Sequence, residues 1–284
     1  MTSIIKTKTK IDQSQSRPWL FLGLTLGLTW VLEFVAAGFQ NIIPDRLVTG
    51  LRYLAGALPL IISLMLLFII HDRAYRQDFW HRIIDIKRIK PIWWFVALMF
   101  IPLRSGMAAL IDIALGGWGI APEEITLLLA KPLSIIPTLL FWLIFGPLPE
   151  EPGWRGYALD GLQVRHSALF SSLAVGFIWS LWHLPLFFIQ GTWQSEVVGL
   201  GTQWFWLLML SMVFESVIYT WIVNNTNRSI LIVILYHFMT NSFGQLLALS
   251  PRAEVFNFIL LIVATIVILL IWGPQTLRRP ERSS

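Results

Sequence analysis

The chain has 284 residues, 56% of them hydrophobic and only 13% charged, with a formal net charge of +5. A soluble domain carries about 25% charged residues, so this chain must hide most of its surface from water, and a lipid bilayer is the solvent that suits it. The basic residues fall in short patches between apolar runs, the pattern of a membrane topology signal rather than a nucleic-acid face, and the lack of cysteine excludes disulfides and thiolate metal sites.

Residues 1–17 form a basic tail with Lys6, Lys8, Lys10 and Arg17, and the chain then runs apolar from Pro18 to Phe39. A cleavable signal peptide is the competing reading, with Ala36-Ala37-Gly38 as its small-residue site. The run is longer than a usual signal core and contains Glu33, which favours a retained transmembrane helix. Eight stretches approach the ~20 residues a helix needs to cross a bilayer: 18–38, 51–70, 92–114, 132–149, 168–190, 203–223, 229–249 and 255–273. The connections alternate in charge. The 71–90 loop carries Arg73, Arg76, Arg82, Lys87, Arg88 and Lys90, 155–166 carries Arg155 and Arg165, Arg228 follows the sixth span, and Arg278, Arg279 and Arg282 end the chain. The intervening loops hold acids instead, Glu123 and Glu124 in one and Glu196 in another; Arg46 and Arg252 are the exceptions. The positive-inside rule then places both termini in the cytoplasm. The expected fold is an all-α polytopic membrane helix bundle of about eight spans, a multi-pass protein of the cell membrane. Trp80, Ile83 and Ile84 within 71–90 suggest an interfacial helix, with an ordinary basic loop as the plain alternative.

Ionised groups at membrane depth are costly and are usually kept for function. Glu150-Glu151, with Arg155 four residues on, lies at a break, Gly146-Pro147-Leu148-Pro149-Glu150-Glu151-Pro152-Gly153, beyond which the apolar pattern continues to about Gln163. The segment reads as two half-helices joined at a kink lining a protected cavity. Glu150 precedes the next turn by about 16 residues and His183 follows it by about 17, so at ~1.5 Å per residue the two are level. His237 and Asn241 share a helix face at a similar depth.

A carboxylate level with an imidazole can hold and deprotonate water, and a second imidazole with an amide one turn away can donate to a developing oxyanion. Arg155 can fold back as counter-ion to the glutamates. Alternatively Glu150, His183 and His237 match a catalytic zinc set, although no His-Glu-x-x-His helix argues for it. Taken singly, Glu150 and Glu151 can be a surface pair with Arg155, His183 a core histidine, and His237 and Asn241 interhelical glue. Glu33, Arg104, Asp112 and Glu215 have milder readings: an Arg104 pair with Asp112 or another acid is structural, and Glu215 is a candidate to line the cavity. His71, His81 and His166 fall in connections where a solvated histidine is expected.

Glu150-Glu151-x-x-x-Arg155, Trp179-x-x-x-His183 and His237-x-x-x-Asn241, in this order, resemble the CPBP (Abi) family of intramembrane proteases, which includes type II CAAX prenyl endopeptidases and bacteriocin-processing or immunity proteins. The likeness covers about residues 130–250, with Asn224-Asn225-Thr226 and Ser229-Ile230-Leu231 leading to its last motif; Trp179 stands where the family often has Phe. The resemblance implies an intramembrane endopeptidase with Glu150 as base, His183 sharing the water, His237 and Asn241 at the oxyanion, and Glu151 and Arg155 supporting geometry and charge. It leaves a divalent metal such as zinc on Glu150, His183 and His237 as the alternative to glutamate-based catalysis. Residues 18–129 would form an N-terminal transmembrane region, 130–250 the protease core, and 251–284 a last helix and basic tail. The partners implied are the bilayer and a membrane-associated peptide or protein substrate, without nucleic acid. A non-catalytic scaffold or immunity protein, and a small-molecule transporter, which also uses broken helices, are the rivals.

Overall fold

Prolines and short polar side chains decide where the helices begin. Pro18, Pro91 and Pro251 occupy first turns, where no backbone N–H is needed. Asp72, Ser167, Thr202 and Ser250 each accept a bond from the N–H three residues on, pairing one of the donors that a helix start leaves free. The computed structural model describes residues 15–120, 135–246 and 248–278. In chain order it forms α1 (Pro18–Phe39), α2 (Asp45–Ile70), α3 (Arg73–Ile84), α4 (Pro91–Ala114), α5 (Ile135–Phe145), α6 (Pro147–Glu151), a π-helix (Pro152–Leu159), α7 (Asp160–Leu162), α8 (Ala168–Trp182), a 3-10 turn (Leu184–Phe188), α9 (Gln203–Asn225), α10 (Ile230–Leu246) and α11 (Pro251–Trp272). No strand occurs among the described residues, and the chain is the all-α polytopic bundle expected. Lys6, Lys8, Lys10, Glu123, Glu124, Arg279 and Arg282, and the first residues of the fourth expected span, lie outside the described residues.

Among the described residues six helices are long and apolar enough to cross a membrane: α1, α2, α4, Ala168–Phe188, α9 and α11. The fourth and seventh expected spans hold shorter helices, with 11 described residues in α5 and 17 in α10. Two boundaries move outward from the expected ones. α2 starts at Asp45 and α11 at Pro251, which takes Arg46 and Arg252 into helices. Arg252 is accommodated because it pairs with the Asp112 carboxylate and donates to the Asp112 and Leu115 carbonyls, at 2.9 and 3.2 Å, where the end of α4 leaves acceptors free.

The connections rich in basic residues gather at one end of the bundle. Ser16 Oγ lies 3.2 Å from His71 Nε2, Asn227 donates to the Arg88 carbonyl at 3.0 Å, and the Ala168 N–H donates to the Gln275 carbonyl at 2.8 Å. His71 is not the solvated histidine expected: it is buried and stacked on Tyr75, ring centroids 3.7 Å apart. His81 and His166 are exposed. At this end α3 is a helix, but it does more than lie on a surface. Its Arg82, fully buried, donates to the Gly156 carbonyl at 2.6 Å and pairs with Asp160 at 3.1 Å. Asp160 also takes Arg228 at 2.5 Å and the Tyr75 hydroxyl at 3.1 Å. Burial, followed by the Asp160 charge, pushes the Tyr75 phenol up, so it remains the donor in that bond. This cluster fastens α3 and the α9–α10 turn to the π-helix.

The segment after α11 folds back over the same end. Leu277 is fully buried, and Asn224 and Asn225 donate to the Thr276 and Leu277 carbonyls at 2.8 and 2.7 Å. The Asn pair that precedes the last motif is thus a clasp. Asn224→Ala with Asn225→Ala should lower stability by about 1–3 kcal/mol, read as a lower unfolding temperature in detergent, with the catalytic parameters of the folded fraction unchanged.

Candidate active site

The break expected across Gly146–Gly153 is confined to Gly146, whose φ of −119° and ψ of −99° end α5 and start α6. Pro147 follows in a first turn. Pro152 lies inside a continuing helix, and it lacks the N–H that α winding would pair with Leu148. The ladder opens there into π winding through Leu159. The wider turn carries Arg155 and is pressed against its neighbours: a Cβ on Gly153 would lie 2.6 Å from the Pro59 carbonyl oxygen of α2, so only glycine allows that approach.

Glu150, Glu151, Arg155 and His237 are all buried, with Glu151 and Arg155 at 0% and 1% exposure. Arg155 does fold back: its Nη1 donates to Glu151 Oε1 at 2.8 Å. The same carboxylate oxygen lies 2.8 Å from His237 Nδ1. The Arg155 guanidinium stacks on Tyr219 and Trp179, 4.0 and 4.6 Å from the ring centroids. Glu150 stands apart from this set. It makes no ion pair among the described residues, and its Oε2 accepts from Trp179 Nε1 at 2.7 Å.

His183 comes to this group by way of the same tryptophan. It caps α8 in an αR conformation, and its Nδ1 lies 2.9 Å from the Trp179 carbonyl. The Trp182 indole, 4.7 Å from the His183 ring, is tethered by an N–H bond of 2.8 Å to Thr29 on α1. Asn241 is half-buried and lies against the break: a Cβ on Gly146 would be 2.9 Å from Asn241 Nδ2. The six expected side chains thus come from α6, the π-helix, α8 and α10 and converge on Trp179 and Gly146.

Protonation follows from the partners. A carbonyl oxygen only accepts, so the His183 proton sits on Nδ1 and leaves Nε2 with a lone pair. Glu151, paired with an always-charged arginine, is an ionised acceptor, so His237 also carries a proton on Nδ1. Among the described residues no three His, Asp or Glu side chains group to hold a metal ion. The bonds to Trp179 and Glu151 engage Nδ1 of each histidine and one oxygen of Glu150, and leave both Nε2 atoms and the second Glu150 oxygen uncommitted.

The Arg104–Asp112 pair does not form. The two are eight residues apart on one helix, about 12 Å along its axis. Arg104 instead pairs with Glu215 and donates from Nε to Asn257 at 2.9 Å, and Glu215 also accepts from Tyr236 at 2.8 Å. Glu215 is thereby consumed in a tie between α4, α9, α10 and α11 and does not line the site as a free acid. Tyr219 and Tyr236 carry no sequence signal, yet they form the wall behind His237, with Tyr219 5.0 Å from Tyr236 and 5.8 Å from His237.

Residues 132–243 match the family model of Rce1-like type II CAAX prenyl endopeptidases. A curated relative, the CAAX prenyl protease 2 of Methanococcus maripaludis, is 30% identical over 262 residues, which cover 91% of this chain and 96% of the relative.

Proposed function

Because the chain belongs to the family of type II CAAX prenyl endopeptidases, we propose that it hydrolyses the peptide bond beside the prenylated cysteine of a C-terminal Cys-aliphatic-aliphatic-X sequence, using water activated by Glu150 and His183. The observation that carries this reading is the separation of the two glutamates. Glu151 is paired with Arg155 and hydrogen-bonded to His237, while Glu150 has only the Trp179 N–H on one oxygen and makes no ion pair among the described residues.

In this mechanism a water donates one hydrogen to Glu150 and the other to the free Nε2 of His183, which turns its oxygen lone pair toward the substrate carbonyl. As the oxygen–carbon bond forms, Glu150 takes the proton. The carbonyl oxygen becomes an oxyanion facing the Asn241 amide and His237. Since Nδ1 of His237 already donates to Glu151, Nε2 donates to the oxyanion when His237 is an imidazolium, with Glu151 as its counter-ion. Collapse breaks the carbon–nitrogen bond, and Glu150 returns its proton to the leaving amine. Both termini and the basic end of the bundle face the cytoplasm in this reading, in accord with the positive-inside rule.

The direct test is incubation of the purified protein in liposomes with a farnesylated Cys-aliphatic-aliphatic-X peptide. Release of the terminal tripeptide, detected by mass spectrometry, supports the reading; an intact peptide sinks it. Trp179→Phe keeps the ring under Arg155 and removes the donor to Glu150. It should lower kcat about tenfold, the worth of one hydrogen bond to a charged group, with KM held.

A further inference from the structure

The helix that carries His183 holds its ring at one nitrogen, Nδ1, 2.9 Å from the Trp179 carbonyl. One such bond leaves the ring free to rock about it, and the Nε2 lone pair would swing with the ring. The Trp182 indole limits that motion, because it stands perpendicular to the imidazole with the centroids 4.7 Å apart. What places this indole lies on another helix. Trp182 Nε1 donates to Thr29 Oγ1 of α1 at 2.8 Å. An indole nitrogen only donates, so the Thr29 oxygen accepts there and its own proton goes to the Ala55 carbonyl of α2, 3.4 Å away. Thr29 and Ala55 are both fully buried.

A threonine inside a helix ordinarily satisfies itself. Thr220, Thr240 and Thr265 each donate to the carbonyl four residues back in their own helix, at 2.8, 3.1 and 2.9 Å. Thr29 turns instead to two neighbouring helices. The next residue, Trp30, donates to the Leu181 carbonyl at 3.0 Å, so two consecutive residues of α1 hold the two consecutive residues that precede His183. Just past the end of α1, Gln40 donates to the Phe188 carbonyl at 3.1 Å and accepts from the Gln190 N–H at 2.7 Å. α1 is thus fastened to both ends of the segment that carries His183.

We propose that Thr29 is a positioning residue for hydrolysis: through the Trp182 indole it fixes the direction of the His183 Nε2 lone pair. The inference rests on the reading above, in which His183 shares the attacking water. Misplacing a reacting group by ~1 Å costs on the order of a hundredfold in rate. Loss of a bond that acts through a second side chain should cost less, about tenfold.

The experiment measures cleavage of the farnesylated peptide in liposomes by wild type, Thr29→Val, Thr29→Ser, Trp182→Phe and the double variant Thr29→Val with Trp182→Phe. Thr29→Val keeps the shape and removes the hydroxyl, and Trp182→Phe keeps an aromatic ring and removes the N–H. Each should lower kcat about tenfold with KM held. Thr29→Ser should restore kcat, and the double variant should be no slower than either single one, because both break the same bond. Thr265→Val also removes a buried hydroxyl, one bonded within its own helix, and should leave kcat unchanged. A wild-type kcat in folded Thr29→Val, an equal loss in Thr265→Val, or additive losses in the double variant overturns the proposal. Nitrogen-15 NMR of histidine-labelled protein reads the ring without turnover. The chain has five histidines, and the His183 resonances are those lost in His183→Gln. Thr29→Val leaves both rings intact, so a shift or broadening of the His183 resonances supports the tether, and unchanged resonances overturn it. A wild type that cleaves no peptide overturns the hydrolase reading, and the role of Thr29 in hydrolysis falls with it whatever the resonances show.

Discussion

Glu150→Gln should abolish peptide cleavage, with kcat reduced by at least about 10²–10⁴-fold, while the protein stays folded and membrane-inserted. The variant keeps the shape of the side chain, and an amide oxygen can still accept from Trp179, whose N–H is 2.7 Å from Glu150 Oε2. What it removes is the capacity to take and return a proton. Because Glu150 makes no ion pair among the described residues, its neutralisation strands no partner charge, and the unfolding temperature should change little. Comparing protein N-termini in membranes of cells expressing wild type or Glu150→Gln reads the chemistry in place. Termini present only with wild type name substrates and assign Glu150 its role. Identical termini at equal abundance of folded protein would instead favour a scaffold, and flux of a small molecule that depends on Glu150 would favour a transporter. Glu151→Gln should differ in kind. It weakens the anchor of both Arg155 and His237, so stability and activity should fall together.

The fold was legible in the sequence to the extent that apolar run length determines it. Runs such as Pro18–Phe39 and Gln203–Asn225 permit little besides a membrane-embedded helix, and the grouping of Glu150, Glu151, Arg155, His183, His237 and Asn241 followed from depth arithmetic along α8 and α10. Three things were not legible, each for a physical reason. The prolines in 146–153 signalled a break but not its form, because a missing N–H can be absorbed either by a kink or by π winding, and packing against Pro59 selects the latter. Arg104 and Glu215 are 111 residues apart, and ion-pair partners between helices are set by rotation about each helix axis, which hydropathy does not encode. Trp179 was visible only as the aromatic of a motif. Its indole N–H to Glu150 and its carbonyl to His183 make it the hinge of the site, and that role depends on a side-chain direction no spacing rule gives.

Arg155→Ala should be the most destabilising single change in the site, by about 3–5 kcal/mol, because removing one partner of a buried pair leaves the other charge uncompensated. Glu151 has no exposed surface, and its Oε2 has no hydrogen-bond partner among the described residues, so it depends on Arg155 and His237 at its other oxygen. The guanidinium also lies over the Tyr219 and Trp179 rings, a contact worth up to ~2 kcal/mol when desolvated. Arg155→Lys should restore little of either, since an ammonium lacks the flat face that packs on an aromatic ring. The informative variant is the double change Arg155→Met with Glu151→Gln, which removes both charges and keeps the volume. Replacing a buried pair by neutral groups is often close to neutral for stability, so unfolding in detergent should return most of the way to wild type. Peptide cleavage should not return with it, because His237 then loses the carboxylate that accepts from its Nδ1 and orients its ring. Recovery of both stability and activity in the double variant would reduce Glu151 and Arg155 to packing. Recovery of stability alone separates the two tasks of this pair, holding the π-helix in place and orienting the histidine opposite it.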